Sequence, residues 1–218
     1  MSRLLKIYSD KSLKKGLNEA VKIISKGGIV AFPTESFYGL GVDATNPDAV
    51  KRLFGVKKRD PAIPILVFIS SLEELHKYVA SIPPRAKLMG KKFWPGGLTM
   101  LFKSSSVFPS ILTAGKGKVG IRVSGHPLVG ALLRALNIPI TGTSANISGS
   151  PPCIKAEQVQ ECLGDNLDLI LDGGITQGKY PSTLLDVTTD PPLIIREGII
   201  KAEKIIESGI YEKIIKAA

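Results

Sequence analysis

The sequence has few of the residues that build common catalytic centres. Among its 218 residues are only two cysteines and two histidines. Cys153 and Cys162 stand nine positions apart with no histidine nearby, a spacing that fits neither a zinc site nor a disulfide framework. His76 and His126 form no metal-binding pattern, and structural roles are commoner for such residues. We therefore expect two reduced thiols, as in a cytosolic protein, and no zinc centre.

Signals for nucleotide loops and for membranes are also missing. The chain contains neither the G-x-x-x-x-G-K-[ST] pattern of a phosphate loop nor the G-x-G-x-x-G pattern of a dinucleotide site. No apolar run approaches the roughly 20 residues needed to span a bilayer. The segment before Asp10 lacks the apolar centre of a signal peptide. We therefore expect a cytoplasmic protein without a membrane partner.

Acidic residues are outnumbered, with 19 Asp and Glu against 29 Lys and Arg, which gives a net charge of +10. This surplus indicates an anionic ligand such as nucleic acid or a nucleoside triphosphate. A lysine-rich set of helix surfaces, including Lys14, Lys15, Lys22 and Lys26, explains the charge equally well. The charge alone does not identify the anion.

Hydrophobic periodicity predicts a single α/β domain over residues 1–218, with a core at about 10–200. Predicted helices are 11–26, about 46–54, 71–79, 84–93, 127–136, 155–163 and a lysine-rich tail at 201–216. Predicted strands are 29–32, 63–69, 98–102, 119–123, 138–141, 169–172, 184–187 and 193–196. Polar loops are predicted at 34–44 and 104–118, the second of them mobile. Most of the candidate functional residues fall at or beside strand ends, where α/β sheets place ligands.

One polar stretch, Thr141–Pro152, carries five hydroxyl side chains, one amide and two glycines directly after a predicted buried strand. Hydroxyls, amides and free backbone N–H groups bind phosphate or carboxylate oxygens. A surface turn is the plainer interpretation of its composition. Upstream, Lys57-Lys58-Arg59 follows a predicted helix, where cations also simply match the helix C-terminus. The two segments together indicate an anion site, with one segment on each side of it.

Arg122 lies in the middle of a predicted strand, between Ile121 and Val123. An arginine there either faces a wet side of the sheet or points into a cavity that binds a carboxylate or phosphate. We favour the cavity. Arg122, Arg196, Lys57 and Arg59, with the hydroxyls of Thr34, Thr143, Ser144 and Ser182 and the amide of Asn146, make a set that could act by positioning and charge neutralisation.

These residues also carry a resemblance to a known family. The K-x-R pattern of Lys57-Lys58-Arg59 is followed by the S-x-N pattern of Ser144-Ala145-Asn146. Flanking motifs are Pro33–Leu40, Trp94–Thr99, Arg122 with Gly125–Leu128, and Ser182-Thr183. In this order, from about residue 10 to about 200, the motifs resemble the YrdC family of threonylcarbamoyl-AMP synthases. Ile63 stands where many relatives have histidine, and longer members carry a further C-terminal domain for which this chain is too short.

The resemblance implies a twisted mixed parallel and antiparallel sheet, with surrounding helices and a large concave basic cavity. It implies a nucleotidyltransferase that makes threonylcarbamoyl-AMP and pyrophosphate from L-threonine, bicarbonate and ATP. The product would serve the threonylcarbamoyladenosine modification of tRNA, through separate threonylcarbamoyl-transfer proteins. Mg²⁺ would be held by ATP oxygens and water rather than by protein side chains.

The same resemblance implies a role for each candidate residue. Lys57 and Arg59 would neutralise the triphosphate, while Ser144 and Asn146 would contact phosphate and carbamate; these four are the catalytic and ATP-binding candidates. Arg196 would be a second nucleotide contact. Threonine would be bound by Thr34, Arg122, Thr143 and Ser182. Lys57, Arg59, Ser144 and Asn146 are predicted on loops or element ends, so we expect their removal to spare the fold.

Two alternatives remain. The first is a module that binds double-stranded RNA or tRNA without catalysis, an activity ascribed to members of the family. An aromatic content of 6% and the lack of known RNA-binding patterns argue against it, although weak RNA binding fits the charge. The second is a carbamoyl-transfer module, formed by a related domain of larger hydrogenase-maturation proteins. The zinc-finger and acylphosphatase parts of those proteins are absent from this sequence.

Overall fold

Two mixed β-sheets organise residues 3–217, the part of the chain that the structure, a computed structural model, describes. The strands are β1 (Arg3–Lys6), β2 (Val30–Pro33), β3 (Tyr38–Gly41), β4 (Val67–Phe68), β5 (Leu98–Lys103), β6 (Lys118–Arg122), β7 (Ile140–Thr141), β8 (Thr143–Ser144), β9 (Leu169–Asp172), β10 (Thr183–Asp186), β11 (Leu193–Arg196) and β12 (Ile215–Lys216). The helices are α1 (Asp10–Ile24), α2 (Pro47–Lys57), α3 (Pro84–Phe93), α4 (Pro127–Leu136), α5 (Ala156–Leu163) and α6 (Ala202–Ile206). The predicted α/β class is confirmed.

Each sheet contains both strand directions. The five-stranded sheet has the order β1-β9-β2-β3-β8, in which β1, β9 and β2 run parallel and β3 is antiparallel to both of its neighbours. The seven-stranded sheet has the order β12-β11-β10-β5-β6-β4-β7 and alternates parallel with antiparallel pairs. The resemblance implied a twisted mixed sheet, and the structure has two mixed sheets.

The chain passes from one sheet to the other at Gly142. Strand β7 belongs to the seven-stranded sheet, and β8, only one residue later, belongs to the five-stranded sheet. A Cβ at Gly142 would lie 2.4 Å from Phe68 Cε2 and 2.6 Å from Leu66 Cδ1. Only glycine therefore fits this crossing without displacing neighbours. The polar stretch predicted from sequence is thus the junction of the two sheets.

Helices α1 and α4 cover the five-stranded sheet. Ser9 and Ser12 form a reciprocal capping box at the start of α1, which satisfies backbone N–H groups of the first turn. Ala20 and Ile24 of α1 pack with Leu132 of α4 and Phe32 of β2 in one buried cluster. Burial of these apolar faces stabilises the sheet from which part of the functional cavity is built.

Helix α2 extends further than the sequence suggested. Its start is as predicted, with Asn46 accepting hydrogen bonds from the backbone N–H groups of Asp48 and Ala49. Gly55 does not end the helix, which continues to Lys57 and is closed by Lys58 in the left-handed conformation at φ 48°. Lys57 is therefore a helical residue rather than a loop residue, and it is buried.

Other elements also differ from prediction. The polar loop 34–44 contains β3, and a Cβ at Gly41 would lie 2.5 Å from the Phe32 ring, so glycine allows this close pairing. The predicted strand 63–69 is regular only over Val67–Phe68, and the helix at 71–79 is a 3-10 helix at Glu73–Lys77. The predicted helical tail is helical only in α6 and ends in β12.

The loop 104–118 is anchored by apolar side chains. Phe108 and Leu112 are buried, and Tyr78 stacks on Phe108 with ring centroids 5.9 Å apart. The Leu112 carbonyl accepts from the Ile65 N–H.

No helix within residues 3–217 is both long enough and apolar enough to cross a bilayer.

Candidate active site

A cavity of about 790 Å³ is lined by residues of both sheets. Tyr38, Thr143 and Ser144 come from the five-stranded sheet, whereas Thr99 and Arg122 come from the seven-stranded sheet. This volume lies within the range of about 300–1,000 Å³ typical of ligand sites. The cavity therefore has room for a nucleotide or for a nucleotide with a small second ligand.

The charge of the lining is of one sign. Arg59, Lys116, Arg122 and Arg196 line the cavity, and no Asp or Glu is found among its lining residues within the described part of the chain. Burial, reinforced by the neighbouring Arg196, lowers the pKa of Arg59, and burial with the neighbouring Arg122 lowers the pKa of Arg196. Like charges that repel one another in a concave site are stabilised by an anion. The cavity is thus built for an anionic ligand.

Arg122 is held rigidly at the cavity. Its Nε donates to the Gly96 carbonyl at 2.8 Å, and its Nη2 lies 2.7 Å from Glu35 Oε1. The Nη2 is buried yet has no aligned hydrogen-bond acceptor among residues 3–217. A buried donor without an aligned acceptor is costly, so an incoming oxygen would be favoured there. Of the two orientations left open by the sequence, the structure has the cavity-facing one.

Glu35 partly balances this arginine from outside the lining. Its carboxylate accepts from Ser124 Oγ at 2.7 Å and from the Gly125 N–H at 2.8 Å. Burial raises the pKa of Glu35, but the Arg122 charge and these hydrogen bonds outweigh it, so the net pKa is lowered. Glu35 therefore stays ionised and fixes the orientation of Arg122.

Two hydroxyls at the cavity present opposite hydrogen-bonding character. Thr34 Oγ1 donates to the Phe37 carbonyl at 2.7 Å and accepts from the Ser36 N–H, so its remaining capacity is as an acceptor. Ser182 Oγ accepts from Thr99 Oγ1 at 2.8 Å and from Arg196 Nη2 at 3.4 Å, which leaves its own proton free to donate. A ligand donor fits at Thr34 and a ligand acceptor at Ser182.

The K-x-R and S-x-N motifs meet in space, but not with all side chains in the cavity. Lys57 Nζ donates to the Ser144 carbonyl at 2.5 Å, to the Asn146 carbonyl at 2.8 Å and to Asn146 Oδ1 at 3.1 Å. Asn146 Oδ1 also accepts from Ser144 Oγ at 2.7 Å, and its Nδ2 donates to the Ser150 carbonyl. Lys57 and Asn146 do not line the cavity, whereas Arg59 and Ser144 do.

Lys57 thus holds the β8 loop from behind. Its side chain is 1% exposed, and burial together with the nearby Arg59 lowers its pKa to about 8. The sequence led us to expect that these motif residues can be removed without affecting the fold. For Lys57, its burial and the bonds from its ammonium to three interior oxygens predict instead that removal destabilises the fold.

Of the nine residues named from sequence, seven line the cavity: Thr34, Arg59, Arg122, Thr143, Ser144, Ser182 and Arg196. Arg59 donates through Nε to the Ile63 carbonyl and through Nη2 to the Pro64 carbonyl, so it is also anchored. Ile63, 49% exposed, contributes an apolar surface to the lining.

Sequence reasoning missed Lys116, Thr99 and Glu35. Thr99 lies in an apolar strand and Glu35 in a polar motif without an assigned role, so neither had a clear signal. Lys116 is flanked by glycines, a local pattern that could have marked it.

No group of three or more His, Cys, Asp or Glu within residues 3–217 is placed to hold a metal ion. Cys153 and Cys162 are free thiols with sulfurs 3.5 Å apart.

These features define an α/β protein with a cationic, hydroxyl-lined ligand cavity between two mixed sheets. A family model named Sua5_yciO_yrdC and described as telomere recombination matches residues 22–198, and the chain belongs to this family. The predicted relationship to YrdC proteins is confirmed.

Curated relatives include proteins named threonylcarbamoyl-AMP synthase. The one from Pyrococcus abyssi is 37% identical over 207 residues, covering 91% of this chain and 61% of the relative. The one from Bacillus subtilis is 40% identical over 189 residues, covering 86% of this chain and 54% of the relative. The chain therefore spans little more than half the length of these two proteins.

Solved structures give the same relationship. P. abyssi Sua5 complexed with L-threonine matches with a TM-score of 0.91 and 33% identity, covering 100% of this chain and 62% of that one. E. coli YciO matches with a TM-score of 0.85 and 30% identity, covering 94% of this chain and 99% of that one. The mixed α/β fold implied by the sequence resemblance is confirmed.

Proposed function

We propose that the protein is a nucleotidyltransferase that makes threonylcarbamoyl-AMP and pyrophosphate from L-threonine, bicarbonate and ATP. The observation that carries the proposal is the pairing, in one cavity, of a cationic lining with hydroxyls of opposite hydrogen-bonding character. The first suits a triphosphate, and the second suits a small amino acid that carries both a donor and a carboxylate. The named synthases and the threonine complex of the P. abyssi relative support the same reaction.

Threonine would lie across the hydroxyls. Its carboxylate would pair with Arg122 and accept the free proton of Ser182, while its side-chain hydroxyl would donate to Thr34. Thr143, buried beside Ser144 on β8, would bound the same subsite. This arrangement leaves the threonine amine as the reacting group.

The reaction has two bond-forming steps. The threonine amine attacks the bicarbonate carbon, and loss of water leaves an N-carboxylate. An oxygen of this carbamate then attacks the α-phosphorus of ATP, and the bond to the β-phosphate oxygen breaks to release pyrophosphate. The amine proton passes to solvent or to bicarbonate.

Within this scheme the chain acts by positioning and charge neutralisation. Arg59 and Arg196 would offset the triphosphate charge and the charge that grows on the leaving pyrophosphate. Ser144 would face the phosphate and the carbamate, held by the buried Lys57–Asn146 contacts behind it. Mg²⁺, bound by ATP oxygens and water, would supply further charge neutralisation.

A second candidate function, RNA binding without catalysis, is favoured only by the net charge of +10. Weak, salt-dependent binding of tRNA is compatible with the enzyme proposal, as are separate proteins that receive the threonylcarbamoyl group. Cytoplasmic location stays a prediction.

The test of the proposed enzyme activity is pyrophosphate release in the presence of Mg²⁺, with each of threonine, bicarbonate and ATP omitted in turn. Release should require all three, and release that persists without threonine would contradict the proposal.

A further inference from the structure

A glycine-flanked lysine projects from the loop that precedes β6. Gly115 and Gly117 both have left-handed backbone conformations, with φ of 66° and 64°, and Ala114 before them has φ of 53°. Lys116 lies between the glycines and lines the cavity although it is exposed. A residue that is exposed and also lines the cavity lies at its opening. The run of left-handed residues therefore directs one lysine to the mouth of the site.

The backbone that carries Lys116 is fixed in place. The Lys116 N–H donates to the Thr113 carbonyl at 3.1 Å, and the Gly115 N–H donates to the Ser110 carbonyl at 3.0 Å. The Gly117 carbonyl accepts from the Ser104 N–H at 2.9 Å. These bonds hold the lysine Cα at the opening and leave only its side chain free to move.

Lys116 differs from the three arginines of the cavity in how its charge is used. Arg59 donates to carbonyls of the chain, Arg196 donates to Ser182, and Arg122 is paired with Glu35. For the Lys116 ammonium, the described residues provide no hydrogen bond and no ion pair. Its charge is therefore uncommitted and available to a ligand.

We propose that Lys116 is a further substrate-binding residue that contacts the terminal phosphates of the nucleotide and the pyrophosphate as it leaves. The proposal rests on the proposed function, because it assumes a nucleoside triphosphate in the cavity. A lysine ammonium is a compact point charge suited to phosphate, and it needs no fixed orientation. At the opening it would meet the end of the triphosphate that departs first, whereas the arginines within the cavity are anchored.

The experiment measures binding of two nucleotides to the full chain by calorimetry. The ligands are the β,γ-imido analogue of ATP with Mg²⁺ and, separately, AMP, which lacks the terminal phosphates. Lys116→Ala should weaken binding of the analogue about tenfold, as expected for one charge-assisted contact, and change AMP binding by less than about twofold. Lys116→Arg should restore most of the affinity.

Lys103→Ala is the matched control. Lys103 is an exposed lysine on β5, directly opposite Lys118 in the same hairpin, and it does not line the cavity. Loss of one charge there should leave both ligands unaffected. Gly117→Ala is a second variant, in which a Cβ meets no atom within 4 Å but the left-handed backbone is disfavoured. It should weaken the analogue less than Lys116→Ala does, and it should not change AMP binding.

The possible outcomes distinguish failure of the Lys116 contact from failure of the proposed function. Equal affinity of wild type and Lys116→Ala for the analogue overturns the contact and leaves the proposed function standing. An equal loss for AMP and for the analogue also overturns it, since the terminal phosphates would not be involved. Lysine-dependent binding of the analogue, in a protein that makes no threonylcarbamoyl-AMP, supports the contact and removes the proposed function. If wild type does not bind the analogue, the proposed contact is also overturned.

Discussion

The Lys57 ammonium lies 2.8 Å from the Asn146 carbonyl oxygen and 3.1 Å from Asn146 Oδ1, and both residues are buried. This contact joins the end of α2 to the loop that follows β8, where Ser144 faces the cavity. The two residues therefore shape the site from behind its surface.

Replacing Lys57 should destabilise the fold. Lys57→Met fills similar space but removes one donor from each of three interior oxygens, of which the Ser144 carbonyl keeps the Asn146 N–H and Asn146 Oδ1 keeps Ser144 Oγ. Since the Asn146 carbonyl then lacks its donor, we expect a loss of about 1–3 kcal/mol in the free energy of unfolding. Urea denaturation measures it. Lys51→Ala, at an exposed position of the same helix, should change stability by no more than about 0.5 kcal/mol. A Lys57→Met protein as stable as wild type would contradict this role.

The lowered pKa of Lys57 predicts a pH dependence of stability. Its pKa is about 8 in the folded protein against an ordinary value of 10.5, so between these pH values the unfolded chain binds more protons. Stability should therefore rise with pH through this window. Relative to Lys57→Met, we expect wild type to gain about 1–3 kcal/mol between pH 8 and 10.5. If the difference in stability between wild type and Lys57→Met stays constant across this pH range, the lowered pKa of Lys57 is ruled out.

The two hydroxyls predict a substrate order of threonine, then serine, then valine. Serine keeps the hydroxyl that donates to Thr34 and loses only a methyl group, whereas valine leaves the Thr34 acceptor unpaired. An unpaired buried polar group costs about 1–3 kcal/mol, which corresponds to roughly a 5- to 150-fold lower kcat/KM for valine. Competition assays that follow pyrophosphate release provide the measurement. Equal use of valine and threonine would remove Thr34 from the hydroxyl subsite.

Arg122→Lys should impair threonine binding more than nucleotide binding. The planar guanidinium of Arg122 can contact the Gly96 carbonyl, the Glu35 carboxylate and a substrate carboxylate at the same time. A lysine keeps the positive charge but lacks this planar group, so it cannot make all three contacts. We expect threonine affinity to fall by roughly 10- to 100-fold. Binding of an ATP analogue should change by less than about threefold. Calorimetry with each ligand alone separates the two effects, and Arg134→Lys on the exposed surface of α4 is the control.

Much of the site could be predicted because its residues interrupt apolar patterns. Arg122 stands out in a strand of buried apolar residues, and the polar run around Ser144 follows a buried strand. Such exceptions have few structural explanations, so they point to a ligand.

The remaining features depend on contacts that local sequence does not encode. Lys57 stands beside Lys58 and Arg59 and has the composition of an exposed helix end, but the loop after β8 covers it. Strand β3 was missed because its glycines are typical of loops, and only the nearby Phe32 ring explains Gly41. Strand β12 forms by pairing with β11, a tertiary contact that overrides the helical propensity of the tail.

The most direct test of the proposed reaction is the mass of its nucleotide product. The protein would be incubated with Mg²⁺, ATP, L-threonine and ¹³C-labelled bicarbonate, and the products separated and analysed by mass spectrometry. We expect an adenylate that contains threonine and one labelled carbon, formed together with an equal amount of pyrophosphate. An adenylate without the label, or no adenylate from a protein that binds both ATP and threonine, would contradict it.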